Sequence, residues 1–401
     1  MTRPFDLNLR HLRALGQVIA QGSLNRAAEA AGLSQPALTQ GLAKLEKQLG
    51  VTLFDRHSDG VTPSPAGTAL AERVDRAFGV LAAATRRSAR GGTRGFARPE
   101  MLMTATQLDA FLHFADAQGF AGAAVTSGLS QPAIHRAVRE LEQICATPLA
   151  ERRGRGMALT PAGRTLARGV RLAAGEIAAG IAEVQDDGGA GGRVAIGAMP
   201  LSRALLLPRA LALFLRDSPQ AITDVVEGSW RELVDPLLDG AIDIMVGALR
   251  DVPPLGVDQV PLFTDQLAIF GRRGHPLADR AVDMAMLATQ KWVVGPAGTP
   301  LRSHWEALFG NPAPQVPVEC GSVMVIRGLL AQSDLLTLLS PDQVALEVDA
   351  GMLVRIGPDL PDTVRTIGIS TRSDWRPTRA QAMLIRHLRQ ATHDTRLQEN
   401  R

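Results

Sequence analysis

The sequence has neither of the features that mark an exported or membrane-spanning chain. No stretch of about 18 uncharged apolar residues occurs in it, and the opening MTRPFDLNLRHLRALGQ has no apolar core of signal-peptide length. A cytoplasmic chain with no membrane partner is expected. Cysteine is scarce: Cys145 and Cys320 stand far apart, outside any CxxC or metal-ligand spacing, which argues against a zinc site and a disulfide framework and fits a reducing compartment. HExxH, GxSxG, GxxxxGK[ST] and the dinucleotide glycine fingerprint are all missing, and the eight histidines are scattered. Cys320 has no histidine near it in sequence to act as a base, so a buried structural thiol is the simpler reading. No catalytic residue, cofactor or metal is expected, and the chain does not read as an enzyme.

What is present supports ordinary globular packing. The 401 residues exceed the usual size of one core, so two or three domains are expected, and 45% of them are hydrophobic. The formal charge of +3 is unevenly placed. Residues 1–98 carry 14 Lys and Arg against 7 Asp and Glu, residues 99–192 carry 8 against 10, and residues 193–401 carry 21 against 23. Much of the leading basicity lies in RRSARGGTRGFAR (Arg86 to Arg98), which reads either as a flexible linker able to touch phosphate or as a merely solubilising one.

The hexapeptide GLSQPA stands at Gly32 to Ala37 and again, ninety-six positions later, at Gly128 to Ala133. At that shift residues 12–67 match residues 108–163 without a gap, with 18 identities among 56 positions. Each copy reads as helix, tight turn, helix. Ala27-Ala28 and Ala123-Ala124 permit close helix approach, Gly32 and Gly128 sit where the chain must turn, and Ser34 and Ser130 can cap helices that tolerate Pro36 and Pro132 in the first turn. In those second helices Leu38, Leu42, Leu45 and Leu49, and Ile134, Val138, Leu141 and Cys145, fall on one face, which is expected to be buried.

The opposite face carries Gln35, Thr39, Gln40 and Lys44 in the first copy and Gln131, His135, Arg136 and Arg139 in the second. These side-chain types reach base edges and phosphates from a helix in a major groove. Because the two sets differ, the copies imply different base preferences or strengths. LFDRHSDGVTPSPAG and LAERRGRGMALTPAG then read as short hairpins, or wings, with Arg56 in the first and Arg152, Arg153 and Arg155 close to phosphate in the second. Ser64-Pro65 and Thr160-Pro161 start a third, long helix in each copy. Its apolar positions Leu70, Val74, Phe78 and Leu81, or Leu166, Val170, Ile177, Ile181 and Val184, form a seam that one helix cannot bury alone.

GSLNRAAEAAGLSQPALTQGLAKLEKQLGVTLFDR…TPSPAG resembles the winged helix-turn-helix and linker helix of LysR-type transcriptional regulators, and GLSQPAIHRAVRELE…LAERRGRGMALTPAG resembles the same module again. One copy is usual in that family, and two are a departure. The resemblance implies that Ser34, Gln35, Pro36, Thr39, Gln40, Lys44 and Arg56, with Ser130, Gln131, Pro132, His135, Arg136, Arg139, Arg152, Arg153 and Arg155, contact double-stranded DNA. In single-module relatives two chains pair through linker helices. Here residues 65–88 and 161–184 can instead pack against each other within one chain; the rival arrangement is a conventional dimer carrying four modules.

After the linker-like DDGGAGG (Asp186 to Gly192), strand-like runs such as RVAIGAM, IDIMVGAL, QLAIFG, KWVVG and VPVECG alternate with helical patterns, which argues for an α/β sheet with largely parallel strands. Such sheets bind ligands at strand C-terminal ends. Four turns there offer a hydroxyl beside free helix amides, suited to a carboxylate or other small anion: Met199-Pro200-Leu201-Ser202, Glu227-Gly228-Ser229-Trp230, Pro296-Ala297-Gly298-Thr299 and Cys320-Gly321-Ser322. Each hydroxyl can equally be only an N-cap. Arg302 can pair with an acid or sit on the surface. EGSWRELVDPLLDGAIDIMVG and GHPLAD resemble the effector-binding domain of LysR-type regulators, two α/β lobes similar to a periplasmic solute-binding protein. The resemblance implies one lobe from about residues 193–262 plus the region after about 348, and the other from the segment between. It implies effector contacts from Ser202, Ser229 and Thr299 near the interlobe cleft, and the same turns add Met199, Leu201, Gly228, Gly298, Arg302 and Ser322 as candidate contacts.

The expected organisation is therefore two winged helix-turn-helix domains with linker helices, at residues 1–90 and 104–187, and a two-lobed α/β effector-binding domain at residues 193–401. The expected function is a sequence-specific, homo-oligomeric (dimer or tetramer) transcriptional regulator controlled by a small molecule, an organic acid by the anion-friendly turns. Two competitors stay open. An architectural DNA-binding protein accounts for the modules but not for the α/β half, and a ligand-binding protein whose second helix-turn-helix serves dimerisation accounts for the α/β half. A transport-type binding protein needs export.

Overall fold

The structure, a computed structural model, describes residues 2–57, 60–88, 96–117, 119–154, 156–185 and 192–399. Residues 89–95 of the expected basic linker, residues 186–191 of DDGGAGG, and Arg155 lie outside the described residues. The chain forms two compact units, one of Met1–Gly192 with Leu238–Ala241 and Pro377–Ala380, the other of Arg193–Leu237, Ile242–Arg376 and Gln381–Arg401. No described helix is long and apolar enough to cross a membrane.

In the first unit, helices α1 (Leu9–Gln21), α2 (Leu24–Ala31) and α3 (Gln35–Leu49) lead into the antiparallel hairpin β1 (Phe54–His57) and β2 (Gly60–Pro63) and the long α4 (Pro65–Ser88). The order then repeats: α5 (Ala105–Ala117), α6 (Phe120–Ser127), α7 (Gln131–Cys145), hairpin β3 (Ala150–Arg153) and β4 (Gly156–Leu159), and α8 (Pro161–Gln185). Short 3-10 turns, Pro4–Asp6 and Pro99–Met101, precede the two copies. The first packs on α8 and the second on α4, a reciprocal exchange that gives the unit an internal twofold character.

The identities between the copies have local causes. Gly32 and Gly128 end α2 and α6 at φ of 64° and 70°, a left-handed conformation that a β-carbon disfavours. Ser34 and Ser130 cap α3 and α7 by accepting from the backbone N–H groups of Ala37 and Ala133. The carboxylate of Glu46 accepts from the N–H groups of Leu53 and Phe54 at 2.8 and 3.2 Å, and that of Glu142 accepts from Leu149 and Ala150 at 2.9 and 3.2 Å. Each glutamate thus ties its second helix to the start of its hairpin.

The seam of the long helices differs in one respect from the apolar pattern. Leu70, Val74 and Leu81 are buried, as are Leu166, Val170, Ile177 and Ile181, but Phe78 is only half-buried, with the guanidinium of Arg13 5.0 Å above its ring, and Val184 is also half-buried. Arg73 lies in the seam instead, because α4 and α8 pack on each other and α8 supplies carboxylates for it. A single hydrophobic cluster, from Leu7 to Ile181, runs through both copies.

The second unit begins with β5 (Gly192–Ala198), α9 (Leu206–Asp217), β6 (Ala221–Glu227), α10 (Trp230–Asp239), β7 (Ile244–Ala248) and β8 (Val257–Asp265). It continues with β9 (Ala268–Arg272), α11 (Met284–Ala288), β10 (Lys291–Val294), α12 (Pro300–Phe309), β11 (Gln315–Glu319), α13 (Val323–Gln332), β12 (Thr337–Leu339), α14 (Ala345–Asp349) and β13 (Leu353–Arg355). It closes with β14 (Arg365–Arg372) and α15 (Arg379–Glu399). One sheet has the order β6-β5-β7-β14-β8, a second the order β12-β9-β13, and β10 pairs with β11.

Two sequence expectations need correction here. The sheets are not largely parallel: β5–β7 and β10–β11 are parallel, whereas β14 runs antiparallel to both β7 and β8, and β9 runs antiparallel to β12 and β13. The reason is connectivity, since β8 carries the chain out of the first sheet and β14 brings it back alongside, so the two must run in opposite directions. The return also comes later than residue 348, because β13 pairs with β9 in the second sheet and only β14 rejoins the first.

Candidate nucleic-acid interface and effector cleft

In α3, the apolar row Leu38, Leu42, Leu45 and Leu49 faces the core while Ser34, Gln35, Pro36, Gln40 and Lys44 are exposed. Thr39 is half-buried, and its hydroxyl oxygen accepts from Gln35 Nε2 at 3.2 Å, so these two side chains are linked along one helix face. In α7, Ile134, Val138, Leu141 and Cys145 are buried, and Ser130, Gln131, Pro132, His135, Arg136 and Arg139 are exposed. Burial pushes the Cys145 thiol up to about 12, which leaves it an inert core group. The His135 ring lies 5.0 Å from Phe120 of α6, which itself stacks on Phe114 of α5 at 4.5 Å. That contact braces α7 against the helices behind it, with Arg136 and Arg139 outside the contact.

Both hairpins follow at the same place relative to their helices, because Ser64 and Thr160 close them identically. Ser64 Oγ donates to the Thr52 carbonyl at 2.7 Å and accepts from Gly67 N, and Thr160 Oγ1 donates to the Pro148 carbonyl at 2.8 Å and accepts from Gly163 N. Arg152 and Arg153 are exposed on β3. Arg56 lies on β1 opposite Val61, its side chain outside the described residues. Each copy therefore offers an exposed polar helix face beginning at a capped N-terminus, with a hairpin beside it.

In the second unit the parallel strand pairs bring the candidate turns together two by two. Gly228 N donates to the Ala198 carbonyl at 3.3 Å, which sets the Met199 to Ser202 turn beside Gly228-Ser229. Cys320 N donates to the Val294 carbonyl at 2.8 Å, which sets the Pro296 to Thr299 turn beside Cys320 to Ser322. The hydroxyls themselves have partners. Buried Ser202 donates to the Met199 carbonyl, Thr299 caps α12 by accepting from Arg302 N, and Ser322 caps α13 by accepting from Val325 N. Ser229 N and Oγ both donate to Glu232 Oε2 at 2.8 Å, bonds that hold the Glu232 carboxyl below the usual range. This turn already holds a carboxylate, and that carboxylate is the chain's own. Arg302 bonds to Glu306 at 2.7 Å and Glu319 at 2.9 Å while lying over the Trp305 ring, so its charge is matched locally.

Sequence reading missed a cleft of about 230 Å³ lined by Leu206, the stretch Phe263, Thr264, Asp265, Gln266, Leu267 and Ala268, and Pro341, Asp342, Arg355 and Thr392. Its floor is the passage from β8 to β9, where the chain moves from one sheet to the other. Buried Asp265 accepts there from Ser340 Oγ at 2.6 Å and from Arg365 Nε at 2.8 Å. No motif marks these residues, because they come from five separate stretches; only the strand-to-strand crossing, placed a few residues early by the sequence, pointed toward them.

Comparison with known proteins decides what carries these features. The LysR substrate binding domain matches residues 187–392, and the bacterial regulatory helix-turn-helix of the lysR family matches twice, at residues 9–68 and 105–164. The chain belongs to the LysR family of transcriptional regulators. It is similar to the HTH-type transcriptional regulator GalR of Pseudomonas putida, 33% identical over 389 residues that cover 96% of this chain and 97% of that one. It is also similar to the SDS degradation transcriptional activation protein of a Pseudomonas species, 33% identical over 282 residues, 67% of this chain and 89% of that one. Among solved structures, full-length LysG of Corynebacterium glutamicum with bound effector Arg shares the fold at 18% identity, covering 72% of this chain and 97% of that chain with a TM-score of 0.54. As a LysR-family regulator the protein combines DNA-binding helix-turn-helix and effector-binding parts, and it is not an enzyme.

Proposed function

We propose that this LysR-family protein reads DNA with both helix-turn-helix copies and that a small organic acid bound by the α/β unit changes how tightly it does so. The observation that carries the DNA part is the pair of exposed helix faces, Gln35, Gln40 and Lys44 on α3 and Gln131, His135, Arg136 and Arg139 on α7, held on scaffolds with the same caps and the same glutamate ties. Thr39 and the capping Ser34 and Ser130, with Pro36 and Pro132, complete the helix N-terminal ends that approach the duplex, and Arg152 and Arg153, exposed on β3, neutralise phosphate; Arg56 and Arg155 are assigned the same role from the sequence alone. Gln and Arg at these places suit adenine and guanine edges, and the two faces differ, so the copies prefer different half-sites. A protein with this partner works in the cytoplasm.

For the effector, the candidate contacts are the paired turns Met199, Leu201, Ser202 with Gly228, Ser229, and Gly298, Thr299, Arg302 with Ser322; the Ser229 turn already cradles the Glu232 carboxylate through its N–H and hydroxyl, the place that a ligand carboxylate would take over. To act as a switch, such a ligand must bind one arrangement of the protein better than another, a coupling typically worth about 1–3 kcal/mol. Selection of bound fragments from random DNA, with the intact protein and with each helix face replaced by alanine, tests the DNA reading. Two distinct half-site motifs, each lost with its own helix face, are expected; one motif that survives alanine replacement of the α7 face overturns the assignment of that copy. Screening mono- and dicarboxylates for a shift in both melting temperature and operator affinity tests the effector class, and uncharged ligands acting in place of acids overturn it.

A further inference from the structure

Arg73 on α4 is 1% exposed, and its guanidinium reaches two carboxylates on α8, Glu176 at 3.0 Å and Glu183. Glu176 also bonds Arg76 of α4 at 3.3 Å. The backbones approach closely at two points. A β-carbon on Gly180 would lie 3.0 Å from Arg73 Cβ and from Leu70 Cδ1, and one on Gly169 would lie 2.2 Å from Ala84 Cβ. As the number rises along α4 it falls along α8, so the helices are antiparallel. The ninety-six-residue repeat makes these two points equivalents of one another: Gly169 is the counterpart of Arg73, and Gly180 is the counterpart of Ala84. One end of the pair matches a large cation to a glycine, the other a glycine to an alanine.

We propose that α4 and α8 are coded for each other, so that one chain supplies the complete linker-helix pair and neither helix pairs with its own kind from a second copy. The counterparts of Glu176 and Glu183 on α4 are Val80 and Arg87. Pairing α4 with another α4 sets Arg73 against Ala84 in place of glycine, beside Val80 and Arg87 in place of carboxylates, and so takes from a buried cation both carboxylates that α8 supplies. Pairing α8 with another α8 sets Gly169 against Gly180, which leaves a gap, and strands Glu176 and Glu183 without arginine. A buried charge left unpaired is strongly disfavoured even where the matched pair adds little stability, so the triad acts as a selector of partner and register. Any further copy of the chain joins through other surfaces. The inference rests on the reading of two DNA-binding copies only for its consequence, that a single chain can cover two half-sites, and its test does not involve DNA.

The test uses the full-length chain with Cys320→Ser, leaving the buried Cys145, and cysteines in place of Arg76 and Glu176, singly and together. A bis-maleimide of about one nanometre is added at micromolar protein concentration. With both cysteines, the product is expected at the mass of one chain, 42.6 kDa, with a proteolytic map joining an α4 peptide to an α8 peptide. With either cysteine alone, no two-chain product is expected. A two-chain product from Arg76→Cys alone or Glu176→Cys alone, a two-chain product dominating from the double variant, or no cross-link in the double variant overturns the proposal. Failure of either copy to bind DNA would leave this result unchanged, so the two readings fail separately.

Discussion

Gly67 lies so close to Leu53 that a β-carbon at position 67 would stand 2.1 Å from the Leu53 carbonyl oxygen, and Gly163 repeats the approach against the Leu149 carbonyl at 2.1 Å. The contact is with backbone, which cannot swing aside, so the repeated Pro-Ala-Gly is explained by closure of hairpin onto helix. Gly67→Ala and Gly163→Ala are each expected to cost about 1–3 kcal/mol, the usual range for overpacking. Gly79 and Gly175, also on the long helices, have open space around the same position, and alanine there is expected to be neutral or slightly stabilising. Denaturant unfolding midpoints of the four variants check this; equal midpoints for Gly67→Ala and Gly79→Ala would refute it.

Glu46 and Glu142 make a second paired prediction. Each carboxylate accepts two backbone N–H groups at the start of a hairpin, and alanine leaves both donors without that partner. Glu46→Ala and Glu142→Ala are expected to lower stability by about 1–3 kcal/mol, with Gln recovering part of the loss because its amide oxygen still accepts. Hydrogen exchange at Leu53 and Phe54, or at Leu149 and Ala150, should quicken in the alanine variants. Unchanged protection of those amides would show that the glutamates do not hold the hairpins.

Most of the helical unit was legible in the sequence because its causes are local. Serine caps, helix-period leucines and the recurring GLSQPA and Pro-Ala-Gly each fix backbone within a few residues, and a repeat displays them twice. Arg73 was not legible: nothing within α4 marks it as buried, since its partners Glu176 and Glu183 are a hundred residues away and become neighbours only when α8 packs on α4. The α/β unit was read less well for the same reason. Strand identity follows from apolar runs, but the antiparallel β14 and the late return to the first sheet are set by long-range pairing. The cleft at Phe263 to Ala268 arises from that crossing, and no spacing in the sequence announces it.

His275 predicts how the second unit responds to acid. The ring is buried; Nδ1 accepts from Leu277 N at 3.0 Å, and Nε2 faces the Asp334 carbonyl at 3.2 Å, a pairing that requires the neutral tautomer with hydrogen on Nε2. Burial lowers its pKa from the ordinary 6.5, so the folded state binds its proton less readily than the unfolded state. The unfolded state therefore gains protons first as pH falls, and the stability this ring contributes above about pH 6.5 is lost progressively below it. His275→Asn, which retains an acceptor for Leu277 N, is expected to lose less stability than wild type between about pH 7.5 and 5.5. Parallel losses in the two proteins would show that the ring does not govern the acid response.

The proposed DNA reading assigns base contacts to the helix faces and phosphate contacts to the hairpins, and the two are measurable separately. Gln35 opens α3 and Arg136 lies in the second turn of α7, both exposed, so on the proposed reading Gln35→Ala and Arg136→Ala should each relax base preference by on the order of 1–3 kcal/mol. Arg153 is exposed on the second hairpin, where the proposed reading has it meet phosphate. Its replacement by alanine should weaken specific and random sequences together and reduce the slope of log affinity against log salt by about one. Gln35 is also bonded to Thr39, so Thr39→Val should alter the preference of the first copy alone by freeing the Gln35 amide to turn. Binding titrations of all four variants on operator and random duplexes across a salt series supply the comparison. Equal losses on both duplexes for Gln35→Ala and Arg136→Ala would mean that the helices dock on the backbone without reading bases.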